Sequence, residues 1–165
     1  MYEYAPALPK KKERLIAILS LLLGLLMFGF SQIGGIPFPV IYQLVGIAFL
    51  AVFIIFISRY LMRRYVYTVE SRGEGLPPDF IVTEYYGRRI TVVCRISVSD
   101  VEEVIPITRE NRQELRTKQT GRLFYDYTAD LFSKNRYLIT VTDGEHRFCA
   151  RILADDGLLG WLDRR

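Results

Sequence analysis

Residues 15–58 read LIAILSLLLGLLMFGFSQIGGIPFPVIYQLVGIAFLAVFIIFIS, and these 44 positions contain no Asp, Glu, Lys, Arg or His. A single bilayer crossing takes ~20 apolar residues, so the stretch is long enough for two. Between its halves lies Gln32-Ile33-Gly34-Gly35-Ile36-Pro37-Phe38-Pro39, where paired glycines and two prolines break the helical pattern. The reading is a transmembrane helical hairpin over residues 15–60, with helices at about 15–34 and 39–60. Ser20 and Gly24, four apart in the first helix, form a small-xxx-small pair that lets a second helix approach closely. Gly46, Ala48 and Ala51 offer the same in the second. Packing of the two helices on each other is the expected use, and the same motif permits a homo-oligomer. Gln32 and Gln43 flank the turn and are expected to meet water at the outer interface.

Charge placement extends this reading. The chain carries 22 basic and 18 acidic residues, a net of +4. That excess sits beside the apolar stretch: Lys10, Lys11, Lys12 and Arg14 precede it, and Arg59, Arg63 and Arg64 follow it. Residues 65–165 hold 15 basic and 16 acidic side chains, so the remainder is nearly neutral and a nucleic-acid partner loses its electrostatic basis. Lys and Arg flanking membrane helices stay on the cytoplasmic side. Both termini are therefore expected to be cytoplasmic in a multi-pass protein of the cell membrane, with residues 1–14 as a cytoplasmic N-terminal arm in which Met1 to Pro9 are disordered. A cleaved signal peptide over Lys10–Leu26 is the alternative, disfavoured because its apolar run is too long and no small-x-small cleavage site follows.

From Tyr65 the pattern changes to alternation over short runs, the mark of strands with one buried face. Strands are expected at 65–70, 80–86, 88–98, 104–108, 122–128, 136–143 and 145–152, with a short helical turn beginning at Ser99-Asp100. In 88–98 the period of two puts Ile90, Val92, Cys94, Ile96 and Val98 on one inward face. Arg109 to Gly121 is polar, either a long loop or a short exposed helix. Asp155 can cap a C-terminal helix whose Leu158, Trp161 and Leu162 share a face, with Trp161 packed on the sheet.

Six or seven short strands followed by one helix is the plan of a pleckstrin-homology-type barrel. The order of apolar hairpin, basic juxtamembrane residues and Tyr65-Val66-Tyr67-Thr68-Val69-Glu70 resembles small bacterial membrane proteins with a pleckstrin-homology-like, or YcxB-like, C-terminal domain. Gly87-Arg88-Arg89-Ile90-Thr91-Val92-Val93, followed by Ile96-Ser97-Val98-Ser99-Asp100-Val101, is similar to the segment of those families in which a strand leads into a serine-containing turn. The resemblance implies an α+β membrane protein: a two-helix hairpin, then a small antiparallel β-barrel over 65–165 with a C-terminal capping helix. It implies no catalytic residues.

Nothing in the sequence assembles reaction chemistry, so no enzyme activity, cofactor or metal site is expected. His146 is the only histidine, and two cysteines with one histidine do not complete a four-ligand zinc motif. Cys149 alternates with Arg147 and Arg151, which places it on an outer face as an ordinary solvent-facing thiol. Glu102 and Glu103 are adjacent and diverge, and Gly73-Glu74-Gly75 lacks the context of a phosphate loop. Arg88 and Arg89, on a strand-connecting turn, are the candidate lipid-headgroup contact, because Arg pairs bidentately with phosphate. Lys10, Lys11, Lys12, Arg14, Arg59, Arg63 and Arg64 are the juxtamembrane basic set. The expected role is a non-catalytic module, tethered to the lipid bilayer, that binds a membrane-protein partner or supports assembly. The alternative is an accessory subunit of a transporter or secretion complex, bound through its hairpin.

Overall fold

The computed structural model describes residues 1–6, 10–35, 37–73, 75–144 and 146–163, without the side chains of Lys118, Asp143 and His146. The chain divides into two compact units. One is Pro9–Arg63 with Ala129–Leu131; the other is Met1–Leu8, Arg64–Thr128 and Phe132–Arg165.

The first unit is built on α1 (Lys11–Ser31) and α2 (Pro39–Phe56), the latter continued by one π-helical turn, Ile57–Leu61. The 21 residues of α1 and the 23 of Pro39–Leu61 are each long and apolar enough to cross a membrane, since 21 residues at 1.5 Å span about 31 Å, close to the ~30 Å hydrocarbon core. Relative to the expected 15–34, α1 starts and stops earlier. Its polar first turn is helical, and the chain reverses at Gly35, which adopts φ 90°. The helices meet where side chains are smallest. Ala17, Ser20 and Gly24 are buried on α1 and Gly46 on α2, and a Cβ on Gly46 would stand 3.1 Å from the Gly24 carbonyl oxygen. Ser20–Gly24 thus packs within the chain, whereas Ala48 and Ala51 are exposed and take no part in that contact.

The second unit holds eight strands among the described residues. One sheet has the order β1 (Tyr2–Tyr4), β2 (Arg63–Glu70, from Arg64 on within this unit), β3 (Asp79–Tyr86), β4 (Arg89–Ser97). The other has the order β5 (Val101–Pro106), β7 (Arg136–Asp143), β8 (His146–Leu153), β6 (Leu123–Asp126). All seven expected strands are present, but they form two open sheets rather than a closed antiparallel barrel. A 3-10 turn at Val98–Asp100 separates β4 from β5, which lie in different sheets, and β6 runs parallel to β8. That turn is the expected short helical turn, begun one residue earlier: Ser97 Oγ accepts from the Ser99 amide (3.4 Å), and the chain is extended again by Val101.

The eighth strand is the N-terminal one. Residues 2–4 are not a disordered arm; they pair antiparallel with β2, Tyr2 opposite Val69 and Tyr4 opposite Tyr67. Tyr4 stacks on Tyr67 at 6.1 Å, and the Tyr2 hydroxyl donates to the Asp155 carboxylate at 2.8 Å. Asp155 simultaneously caps α4 (Asp156–Leu162) by accepting from the Leu158 amide at 2.8 Å. Gly157 makes room for the Tyr2 ring, because a Cβ there would collide with the phenol. Gly157→Val is expected to expel Tyr2 and release β1, read as faster proteolysis near the N-terminus with the rest of the domain intact. Unchanged protection would show that β1 is held by strand pairing alone. In α4 the buried anchors are Leu158 and Leu162; Trp161 is half-buried.

Tyr67 joins the two sheets. Its hydroxyl is fully buried, donates to the Tyr127 carbonyl (2.7 Å) and accepts from the Leu153 amide (3.1 Å). Phe80 stacks against its ring at 6.2 Å. In the second sheet both faces of the central strands are covered. Ile139, Val141, Ala150 and Ile152 are buried on one face. On the other, Leu115 of helix α3 (Arg112–Gln119) lies over Leu138 and Cys149, with Ile105 and Ile107 alongside. The polar segment 109–121 therefore folds as a helix with one buried leucine. This corrects the solvent-facing assignment of Cys149, which is 0 % exposed, on the anticipated face of β8 but beneath α3.

Candidate functional site

The β3–β4 hairpin departs most from its sequence pattern. From Asp79 opposite Ser97 to Val82 opposite Cys94 the register is regular, but the next pair is Thr83 with Val92. Val93 is thus an extra residue, a bulge, and a one-residue slip sends every side chain beyond it to the opposite face. Cys94 and Ile96 stay on the inward face, opposite the fully buried Val82 and Phe80. Ile90 and Val92 turn outward, 65 % and 58 % exposed, which corrects the expectation that they share the inward face of Cys94. Their cross-strand partners on the outward face are Tyr85 and Thr83.

Glu84, the carboxylate nearer the hairpin tip, follows the inward alternation and accepts from the Tyr65 hydroxyl at 3.1 Å. This contact also fixes direction within the sheet: the hairpin tip lies at the end where β2 begins. At that tip Gly87 takes φ 58°, a conformation glycine adopts without strain, and Arg88 and Arg89 are both exposed. The far end of the outward face is charged instead. There the buried Asp79 carboxylate is held by Arg72 (2.6 Å) and Arg95 (3.1 Å), and Glu70 lies 4.0 Å from Arg95.

The basic residues that flank the two apolar helices divide between the units. Arg64 is exposed at the start of the sheet unit. In the helical unit Lys11, Lys12, Arg14 and Arg59 are exposed and Arg63 is half-buried. Arg59 lies over the Tyr60 ring, 5.9 Å from its centroid, and Phe56 packs on the same ring at 5.3 Å. Lys10 has a role beyond charge. Its ammonium donates to the carbonyls of Tyr60 and Arg63, the latter at 2.7 Å, so a cation stabilises the carbonyl end of the second helix. Sequence reading assigned no role to Glu13. It is 2 % exposed, and its Oε1 accepts from the Leu131 amide at 3.2 Å. No local pattern links positions 118 residues apart.

Reactive groups are not gathered here. Burial pushes the Cys94 thiol above its ordinary range, away from a reactive thiolate. Among the described residues no three His, Cys, Asp or Glu side chains come together to hold a metal ion. Comparison of the chain with protein-family models, with curated proteins and with solved structures yields no match.

Proposed function

We propose that this chain is an integral membrane protein whose two-helix anchor presents a pleckstrin-homology-like domain at the cytoplasmic face, as a non-catalytic module for protein binding or assembly. The observation that carries the reading is the pairing of β1 with β2. Residues before the hairpin and residues after it contribute to one sheet, so both ends of the hairpin belong on one side of a membrane, as a double crossing requires. The basic residues at those ends favour the cytoplasmic side. Seven strands over 63–153, with α3 inserted between β5 and β6, and a closing helix α4 support a reading close to the pleckstrin-homology plan, although the sheets remain open. A tether raises the effective concentration of the domain for partners in the same membrane, so a modest exposed surface suffices for binding.

The test exchanges residues 11–61 for an unrelated two-helix hairpin and compares the proteins that copurify from detergent-solubilised membranes. Retention of the same partner is expected. Loss of every partner on exchange would transfer the binding role to the hairpin, the behaviour of an accessory subunit.

A further inference from the structure

We propose that the outward face of the β3–β4 hairpin, Tyr85, Ile90 and Val92 with Arg88 and Arg89 at its tip, inserts into the leaflet of anionic lipid that holds the anchor. The inference rests on the membrane reading above and adds a second, peripheral contact between the protein and the bilayer.

Three observations carry it. First, the apolar face is made by the backbone: without the extra residue Val93, Ile90 and Val92 would continue the inward row of Cys94 and Ile96. Bulges serve to re-aim side chains in this way. Second, the face is graded along the strands. Its charged cluster, Asp79 with Arg72 and Arg95, lies at one end, whereas the tip end carries Tyr85, Ile90 and Val92 with no carboxylate directed outward. Amphipathic tips bearing arginine suit an interface of acyl chains beneath anionic headgroups. Third, the apolar end is the one joined to the anchor. Met62 alone separates the π turn ending at Leu61 from β2, and Tyr65, three residues on, already reaches Glu84 of the hairpin. Gly87 lies three residues beyond Glu84, about 10 Å at ~3.3 Å per residue, so within the sheet unit the tip and the start of β2 lie at the same end.

The experiment uses the full chain in vesicles containing anionic lipid with brominated acyl chains, which quench tryptophan only on contact. In a Trp161→Phe background, single tryptophans are placed by Ile90→Trp, Val92→Trp, Ile47→Trp and Leu76→Trp. Ile47 lies exposed on α2; Leu76 is 59 % exposed in the loop at the charged end of the sheet. Tryptophan at 47, 90 and 92 is expected to lose most of its emission to brominated lipid, and at 76 to keep it. Quenching at 47 with none at 90 and 92 overturns the inference and leaves the anchor standing. A blue-shifted but unquenched signal at 90 and 92 overturns it in favour of a protein contact, with a second copy or a partner. Absence of quenching at 47 removes the anchor, and this inference with it.

Discussion

Replacing Gly46 with leucine will pull the two apolar helices apart. A Cβ at that position would lie 2.8 Å from the Phe28 ring and 3.1 Å from the Gly24 carbonyl oxygen. The ring can rotate away; the carbonyl belongs to the α1 backbone and moves only with the helix. Overpacking of this kind costs about 3 kcal/mol, at the upper end of the usual range, and where helices associate by close packing there is little else to offset it. Thermal unfolding in detergent, or energy transfer between dyes on the two helices, reads the effect. Gly24→Ala is expected to be milder, since its new Cβ first meets the Leu50 side chain at 3.1 Å, which can adjust, and meets backbone only at the Gly46 carbonyl oxygen, 3.3 Å away. Gly29→Leu is the control: nothing lies within 4 Å, and hairpin stability should hold.

The second large effect belongs to Tyr67→Phe. Removing one oxygen leaves both the Tyr127 carbonyl and the Leu153 amide without the bonds now made to the Tyr67 hydroxyl. Each buried orphan costs ~1–3 kcal/mol, so about 3 kcal/mol is expected for the pair. Against a typical total of ~5–15 kcal/mol this is a large share, equivalent to a fall of roughly 10–20 °C in Tm. Tyr4→Phe keeps its ring stack on Tyr67 and should change little. The same hydroxyl predicts a response to alkali. Burial pushes the Tyr67 and Tyr127 phenols far above their ordinary range, so the folded state holds these protons more tightly than the unfolded chain. Their contribution is complete below the ordinary phenol pKa of ~10 and is lost as pH rises beyond it. Stability should therefore fall above that pH, less steeply in Tyr67→Phe.

How far the sequence could be read depends on the range of the interactions that decide each feature. The helical hairpin was legible because absence of charge over 44 residues is a property of composition alone. The α4 cap at Asp155 was legible because it spans three residues. Strand positions followed from alternation, but exposure did not. A period-two pattern has no way to mark Val93 as a bulge, since valine fits either register, and so Ile90 and Val92 were assigned to the wrong face. Cys149 was placed on the right face and misjudged as open, because the cover comes from Leu115, one apolar residue in an otherwise polar helix. The pairing of Tyr2–Tyr4 with β2 and the burial of Glu13 by the amide of Leu131 are long-range facts. Three residues with two tyrosines carry no signal that distinguishes a strand from a tail. The candidate lipid-contact arginines were visible as a basic turn, and the apolar face beside them needed the register.

The central claim is that both ends of the apolar hairpin share one side of a membrane while its turn lies on the other. It is tested most directly by labelling single cysteines with a membrane-impermeant maleimide in intact cells, in a Cys94→Ala background that retains the buried Cys149. The positions are Glu3→Cys in β1, Gln32→Cys at the turn and Ser99→Cys in the sheet unit, all exposed. The account predicts that cysteine at 32 is labelled from outside, and at 3 and 99 only after the membrane is permeabilised. Labelling of 3 and 99 from opposite sides, or of all three from one side, would contradict it.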